Sequence, residues 1–292
     1  MDTLCLHHND ADGRACGAIV RRALGEAVAL YEMDYGDSLP LELVLVADHI
    51  LIVDFSLPKD EMENLAAYHQ FTWIDHHKSS LDEMDGTAND WAGVRDTSEA
   101  ACVLTWRYFF PDQPVPREIA LIGDRDIWRW AEKDTGAFNE GLHQHYTRPN
   151  NDDLWKPLLD DDPDELARLI QLGGTIREAR LREIRRATSR YSFFATFEGY
   201  RTLVINLRGS GDLGEQIRNM GYEIGYCYVD KVSDGQLMTY VTLYSDSVDV
   251  SQIAQKFGGG GHAGAAGFHF PRGDSPFHPD ANVTYDLHVD DF

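Results

Sequence analysis

The chain has 292 residues, 43% of them hydrophobic, and a formal net charge of −23. This length allows two domains with separate cores, and the composition excludes a globally disordered chain. The strong negative charge argues against sequence-independent binding to long duplex nucleic acid, which relies on broad positive surfaces. A short anionic substrate remains compatible, because bound divalent ions reverse the local field. The acidic composition fits a salt-adapted host, a GC-rich genome or a solvated surface equally well.

The sequence gives no sign of secretion or membrane insertion. The first residues lack a basic segment followed by an apolar run, so we expect no signal peptide. The longest apolar stretch, residues 41–55, is interrupted by Asp48 and His49 and is too short and polar to span a bilayer. The four cysteines (Cys5, Cys16, Cys102 and Cys227) have no paired spacing, as is usual for small core residues in a reducing cytoplasm. We therefore expect a cytoplasmic protein without disulfides.

Strands and helices alternate over the first 150 residues. Hydrophobic runs predict strands over 3–6, 27–33, 51–53 and 71–74, with helices over 14–24 and 58–69. A helix capped by Thr97 or Ser98 is expected to run to residue 110, and another over 116–121. Such alternation predicts an α/β domain with a mostly parallel sheet flanked by helices, whose sites lie at the carboxyl ends of the strands.

A polar, proline-containing stretch at residues 150–163 predicts a boundary after this domain. Asp162 and Pro163 are typical of a helix start, and the helical pattern continues to about residue 190 with a break at Gly173-Gly174. The arginines of this segment favour a solvated connector over a nucleic-acid-facing stripe.

A smaller α/β domain is predicted after the connector. Its expected strands cover 202–205, 222–229, 238–244 and a stretch near 283–289, and its helices cover 212–220 and 250–257. Three parts follow: a catalytic metal-binding domain at 1–150, a helical connector at 151–192 and a substrate-binding domain at 193–292. We expect the active site in the cleft between the domains.

Polar residues with strand spacing follow the first strand. His8, Asp10 and Asp12 stand at alternate positions, and an extended chain points such side chains to one side. Gly13 then turns the chain into a helix whose free N–H groups favour anions. The three side chains can therefore converge on one location, although an aspartate pair at a strand end also serves as a turn or helix cap.

Three later hydrophobic segments also end in aspartate or histidine. Asp54 follows a buried strand, Asp75, His76 and His77 follow the next, and Asp124 follows residues 121–123. A buried carboxylate is costly without a partner, and clustered carboxylates raise one another's pKa. Two divalent cations would balance the four carboxylates that meet there, namely Asp10, Asp12, Asp54 and Asp124. The pattern therefore predicts a two-metal site.

Residues 258–267 contain six glycines and one histidine. Glycine lets a backbone approach a ligand closely, because it accepts positive φ and has no Cβ. Gly259, Gly260 and Gly261 would offer backbone groups, and His262 a single polar side chain. This segment predicts a substrate-binding loop.

Taken together, these motifs resemble the DHH phosphoesterase superfamily and its associated C-terminal substrate domain, up to about residue 270. Relatives in that superfamily include RecJ-type exonucleases, nanoRNases, cyclic-dinucleotide phosphodiesterases and manganese pyrophosphatases. The resemblance implies one metal held by His8, Asp10 and Asp54. It implies a second metal held by Asp12, Asp54, His76 and Asp124, with Asp54 bridging. Imidazole and carboxylate ligands suit two Mn²⁺ ions, with Mg²⁺ or Co²⁺ as substitutes.

The resemblance also implies roles for residues beside the metals. Ions that share a water would activate it for an in-line displacement. His77 would hydrogen-bond a phosphate oxygen or assist the leaving group, and Asp75 would orient the ligands. His262 and the neighbouring amides would clamp a phosphate.

The chain departs from the family in its second half. A Ser-Leu-Arg-Ser-like stretch, whose arginine grips substrate phosphate in many relatives, reads Thr242-Leu243-Tyr244-Ser245 here. Arg208 is the alternative grip, and Tyr244 either stacks on a base or packs in the core. Arg125, Asp126 and Trp128 either line the cleft or start a structural helix.

The sequence therefore predicts a Mn²⁺-dependent hydrolase, a phosphodiesterase that trims short oligoribonucleotides to mononucleotides as nanoRNases do. A phosphodiesterase for cyclic or linear dinucleotides, or a 3′-phosphoadenosine phosphatase, would use the same residues. A catalytically silent nucleotide sensor is the alternative from a different class, although every expected ligand position is filled. A homodimer is compatible with the sequence, and no membrane partner is expected.

Overall fold

The computed structural model of the chain describes residues 2–273 and the short strand His278–Pro279. It divides into two compact units, one ending at Arg177 and the other beginning at Glu178. Each unit is built on a sheet of its own. Among the described helices, none is both long enough and apolar enough to cross a membrane.

The sheet of the first unit has four parallel strands in the order β2-β1-β3-β4. The strands are β1 (Thr3–His8), β2 (Ala29–Met33), β3 (His49–Val53) and β4 (Gln70–Ile74). Beyond β4 the chain adds two isolated parallel bridges, Thr72 with Ala92 and Asp75 with Arg95. The expected parallel sheet is confirmed. From β1 the chain crosses to β2 on one side and then returns to β3 on the other side of β1.

Helices cover both faces of this sheet, as the strand–helix alternation predicts. They are α1 (Ala11–Leu24), α2 (Leu41–Val44), α3 (Lys59–Tyr68), α4 (Lys78–Glu83), α5 (Ala101–Phe109), α6 (Arg117–Asp126), α7 (Thr135–Leu142) and α8 (Asp152–Leu159). Alternate strand residues enter two cores, because successive side chains of a strand point to opposite faces. Cys5 and Leu51 pack with α1, α5 and α6, whereas Leu6 and Ile52 pack with α3.

Helix α5 starts later than predicted, and its cap comes from elsewhere in the chain. Thr97 and Ser98 do not cap it. The backbone N–H groups of Ala101 and Cys102 each donate to the Asp12 carboxylate, at 2.8 Å. A carboxylate is favourable at a helix N-terminus because it satisfies free N–H groups and the helix dipole. The capping residue is 89 positions away from Ala101, so local sequence could not reveal it.

The helix that begins at Pro163 is continuous where a break was predicted. Helix α9 (Pro163–Tyr191) passes through Gly173-Gly174 without interruption. A Cβ at Gly173 would lie 1.9 Å from the carbonyl oxygen of Ala137 in α7, so glycine permits close helix packing there. The boundary between the two units lies within α9. The division into parts at residues 150 and 192 stays a prediction.

The second unit contains a mixed sheet in the order β11-β5-β6-β7-β8-β10-β9. Its strands are β5 (Ser192–Phe197), β6 (Tyr200–Ile205), β7 (Ile224–Ser233), β8 (Gln236–Tyr244), β9 (Gly260–His262), β10 (Ala265–Pro271) and β11 (His278–Pro279), with helices α10 (Gly211–Asn219) and α11 (Val250–Lys256). The glycine stretch, predicted as a loop, forms the hairpin of β9 and β10. The strand expected near 283–289 lies outside the described residues.

Candidate metal centre

The polar residues predicted at strand ends meet at the carboxyl edge of the parallel sheet. His8 ends β1, Asp54 follows β3 and His76 lies just after β4. β1 and β3 are neighbours in the sheet. The chain leaves β1 toward β2 on one side and leaves β3 toward β4 on the opposite side, so the strand order reverses between them. In open α/β sheets ligands bind in the crevice at this switch point. The topology therefore brings these side chains to the usual ligand-binding edge.

Asp10 joins the start of α1 to His8. One carboxylate oxygen accepts a hydrogen bond from the Gly13 N–H at 2.9 Å, and the other lies 3.0 Å from His8 Nδ1. The nearby Asp10 carboxylate, and then that of Asp54, raises the pKa of His8 to about 10. Burial raises the pKa of Asp10, but His8 and the Gly13 N–H outweigh it and lower the value to about 2. A Cβ at Gly13 would lie 2.5 Å from the His8 carbonyl oxygen, so only glycine lets the helix begin this close.

Asp54 lies at the centre of the cluster and has an uncommon backbone. Its φ is +66°, which is rare outside glycine, and its side chain is 1% exposed. Its oxygens lie 3.3 Å from His76 Nε2 and 3.7 Å from His8 Nδ1. Neither oxygen has a hydrogen-bond partner among the described residues. Burial raises the pKa of Asp54 well above its ordinary value. A carboxylate with this environment calls for a cation.

A second group of ligands surrounds His76. Its Nε2 lies 3.3 Å from Asp126 Oδ2 and 3.8 Å from Asp12 Oδ2. Burial, and then repulsion from Asp54, raises the pKa of Asp12, whereas burial and Asp12 raise the pKa of Asp126 to about 7. The cluster contains three sets whose ligand atoms lie within 4.8 Å of one another: His8, Asp10 and Asp54; Asp54, His76 and His77; Asp12, His76 and Asp126.

Asp124 does not lie in this cluster, although the sequence predicts it as a ligand. Its carboxylate accepts hydrogen bonds from the N–H groups of Ala131 and Glu132, at 2.9 and 3.2 Å, and from the Thr135 hydroxyl. The helix predicted over 116–121 continues to residue 126 as α6 (Arg117–Asp126), so it contains Asp124. Two positions along a helix correspond to a rotation of about 200°, so the side chains at 124 and 126 leave the helix on nearly opposite sides. Asp126 lies beside His76 in the cluster, whereas Asp124 holds the loop that follows α6 by hydrogen bonds.

Asp75 and His77 form a dyad at the edge of the cluster. Asp75 is fully buried, and its Oδ1 accepts the backbone N–H groups of His76 and His77 at 2.7 and 3.2 Å. The same oxygen lies 2.8 Å from His77 Nδ1. Burial lowers the pKa of His77, but the Asp75 carboxylate outweighs it and the net shift is upward. The dyad fixes the imidazole with Nδ1 toward Asp75 and Nε2 free for another partner.

Asp34 and Tyr35, which directly follow β2, lie beside the cluster although the sequence did not predict them as site residues. Asp34 Oδ1 is 3.6 Å from His8 Nε2. The Tyr35 ring is 5.5 Å from the His8 ring and 6.3 Å from the His77 ring, with edge-on geometry in both pairs. No motif marks these positions. The rule that sites lie at the carboxyl ends of parallel strands would have included them, since they follow the strand beside β1.

The residues predicted to bind substrate lie in the second unit. Gly260, Gly261 and His262 form β9 and Gly259 precedes it; His262 is exposed. Gly261 has a φ of +139°, and a Cβ at Gly259 would lie 2.0 Å from the carbonyl oxygen of Gly267. These two positions therefore require glycine to form the hairpin.

The sequence left the roles of Arg208 and Tyr244 undecided, and these two side chains differ in exposure. Arg208 is exposed in the segment after β6. Tyr244 is 5% exposed, and a Cβ at Gly214 would lie 2.5 Å from its ring. Tyr244 thus belongs to the core and is not a base-stacking residue.

The donor set of the first unit fits the predicted divalent cations. Several buried side-chain atoms that have no hydrogen-bond partner within the described part of the chain are concentrated here: His8 Nδ1, both oxygens of Asp54, Asp75 Oδ2 and His76 Nε2. Unsatisfied buried polar atoms cost free energy, and a bound cation removes that cost. Imidazole nitrogens mixed with carboxylate oxygens suit Mn²⁺ and related ions. Fold and site together define an α/β protein with a candidate dinuclear metal centre.

Sequence comparisons find two informative relatives, whereas no family model matches the chain. The chain is 28% identical over 238 residues to the uncharacterized protein R106 of Acanthamoeba polyphaga mimivirus, covering 78% of this chain and 55% of that protein. It is 23% identical over 303 residues to oligoribonuclease NrnB of Bacillus subtilis, covering 89% and 71%. The chain thus spans just over half the length of the viral relative.

Solved structures show which fold this is. The DHH domain of a member of a ribosomal-protein family matches with a TM-score of 0.57, at 15% identity, over 91% of this chain and 82% of that one. PggH, a pGpG-specific phosphodiesterase from Vibrio cholerae, matches with a TM-score of 0.52, at 14% identity, over 94% of each chain. The fold is therefore similar to that of these DHH-domain structures, as the resemblance carried by the motifs implies.

Proposed function

We propose that the chain is a metal-dependent phosphodiesterase that hydrolyses short oligonucleotides. The observation that carries this proposal is Asp54, a buried carboxylate without hydrogen-bond partners among the described residues that lies between two histidines of the cluster. The relatives support the class of reaction, since one is named an oligoribonuclease and another a pGpG-specific phosphodiesterase. The net charge of −23 favours short substrates over long duplexes.

Each side of the cluster would hold one cation. His8, Asp10 and Asp54 would hold the first, whereas Asp12, Asp54, His76 and Asp126 would hold the second. When bound, such a pair of ions lowers the pKa of a water and stabilises the attacking and leaving oxygens of an in-line displacement. Mn²⁺ is the proposed ion, with Mg²⁺ or Co²⁺ as substitutes.

The surrounding residues position this chemistry. The N-terminus of α5 and the N-terminus of α1 hold the Asp12 and Asp10 carboxylates by hydrogen bonds. Asp75 holds His77 so that its Nε2 can donate to a phosphate oxygen or to the leaving oxygen. The upward pKa shift of His77 favours the protonated form that this role requires.

The glycine hairpin of the second unit is the proposed phosphate-binding element. Its backbone carries few side chains, and His262 is exposed on β9. Amide groups of such a segment bind anions through their N–H dipoles. Arg208 is the proposed additional cation, because the arginine expected in relatives is replaced by the buried Tyr244.

A substrate panel tests the proposal. Single-stranded RNA and DNA of about two to ten nucleotides, pGpG, cyclic dinucleotides, 3′-phosphoadenosine and pyrophosphate would be incubated with Mn²⁺ and the products identified. We expect mononucleotides from short RNA, and no product with Asp54→Ala. Preferred cleavage of pGpG would make the chain a dinucleotide phosphodiesterase. No turnover of any substrate between about pH 6 and 9 would favour a nucleotide sensor.

A further inference from the structure

A groove of about 940 Å³ adjoins the candidate metal centre in the first unit. Residues of α2, α3 and α4 line it, together with Tyr35, Ser56 and Ser80. Ser56 is two residues from Asp54, and the Tyr35 ring lies beside His8 and His77. None of the residues proposed to hold the cations lines this groove. A group attached to a phosphate at the cluster could therefore extend into it.

The groove offers apolar surface suited to a flat organic group. Phe55 and Leu65 are buried beneath it, whereas Leu41 and Tyr68 on its walls are 63% and 81% exposed. Large apolar side chains that are exposed together around a concavity mark a ligand site more often than a plain surface. A volume of this size accommodates a group as large as a nucleoside.

The charge of the groove excludes an anionic occupant. Four carboxylate residues line it, and none of its described lining residues is lysine or arginine. A phosphate would be repelled there, whereas the exocyclic amino and ring N–H groups of a nucleobase could donate to carboxylates. Asn64, Ser56 and Ser80 add neutral hydrogen-bonding groups to the lining. The carboxylate residues are Asp34, Asp37, Glu61 and Glu83.

Tyr35 stands between the groove and the metal cluster. It is 53% exposed, so one part of its ring remains available beyond its edge contacts with His8 and His77. Stacking of a base on an aromatic side chain tolerates any base, because every base has a π-face. The Tyr35 N–H donates to the Asp34 carboxylate at 2.8 Å, which helps to hold the residue in place.

We propose that this groove is the subsite for the nucleoside attached to the scissile phosphate, with its base stacked on Tyr35. The identity of that nucleoside as part of a substrate rests on the proposed function. The ability of the groove to bind a nucleoside does not, so the two can be tested apart.

Calorimetric titration of the full chain in Mg²⁺ buffer with adenosine, guanosine and ribose 5-phosphate tests binding directly. We expect both nucleosides to bind more tightly than ribose 5-phosphate. Tyr35→Ala should weaken nucleoside binding about ten-fold, and Tyr35→Phe by less than about two-fold. Asn64→Trp, which fills the groove from an exposed position, should also abolish binding. Tyr146→Ala, at an exposed tyrosine outside the groove, is the matched control.

Kinetics with two diesters separate this subsite from the metal centre. Tyr35→Ala should lower kcat/KM for a diribonucleotide about ten-fold more than it lowers kcat/KM for methyl p-nitrophenyl phosphate, because only the first diester carries a base that can stack on the ring. Equal losses on both diesters would overturn the proposal. So would nucleoside affinities that are unchanged in Tyr35→Ala and Asn64→Trp, or a wild-type chain that binds no nucleoside. Nucleoside binding in the groove without turnover of either diester would instead refute the proposed function alone.

Discussion

Replacing Asp54 by asparagine should stabilise the protein without metal ions and destabilise it, relative to the wild type, with them. The asparagine side chain keeps the shape of aspartate and tolerates the positive φ of this position, but it lacks the negative charge. In the wild type the carboxylate is buried near Asp10 and Asp12 and has no hydrogen-bond donor among the described residues. Without metal, removal of this charge lowers the cost of burying a carboxylate close to other carboxylates. With metal, the same change removes the ligand that both ions would share.

The structure sets the size of both effects. In chelator, Asp54→Asn should raise the free energy of unfolding by about 1–3 kcal/mol, because a neutral amide is less costly to bury beside other carboxylates than a charged group. In Mn²⁺ at about one hundred times the dissociation constant, each occupied site stabilises the wild type by about 2.7 kcal/mol. The variant should lose most of that gain from both sites. It should therefore be more stable than the wild type in chelator and less stable in Mn²⁺.

Urea unfolding with and without Mn²⁺ measures these differences. Asp124→Asn is the matched control, because Asp124 is a similarly buried aspartate that bonds its own loop. It should destabilise the protein by about 1–3 kcal/mol in both buffers and leave the Mn²⁺ effect unchanged. A Mn²⁺ effect of wild-type size in Asp54→Asn would refute the shared-ligand role of Asp54.

Three further changes have expected outcomes. Asp126→Ala should reduce kcat by at least about 100-fold and lower the Mn²⁺ content measured by mass spectrometry, whereas full activity would return the ligand role to Asp124. Burial, and then the neighbouring Asp161, raises the pKa of Glu118 from 4.5 to about 8. The stability that the protonated Glu118 contributes is therefore complete below pH 4.5 and is lost as the pH rises through about 8. Glu118→Gln should therefore flatten the decline of unfolding free energy over that range, and an unchanged pH profile would be contrary to this account. His262→Ala should raise KM or lower kcat/KM with metal content intact; loss of metal would exclude a role confined to substrate.

Much of the first unit could be predicted from local sequence. Continuous β-branched and apolar runs mark the strands, and polar residues end β1 and directly follow β3 and β4. His8, Asp10 and Asp54 were found this way because one topological rule places strand ends at a common edge. The α/β fold follows from the same alternation.

The errors in the sequence predictions arise where tertiary contacts decide. The helix predicted over 116–121 runs on to residue 126, and this extension places Asp126 in the cluster and Asp124 outside it. The cap of α5 is Asp12, which lies far away in the sequence. Gly173 would weaken an isolated helix, but it allows α9 to pack against the backbone of α7. None of these contacts leaves a local pattern.

The central claim is that this cluster binds two divalent cations, and anomalous scattering from crystals grown with Mn²⁺ tests it most directly. We expect two peaks about 3.5–4 Å apart, one beside His8 and Asp10 and one beside Asp12 and Asp126, with Asp54 between them. A single peak, or peaks away from Asp54, would contradict the claim.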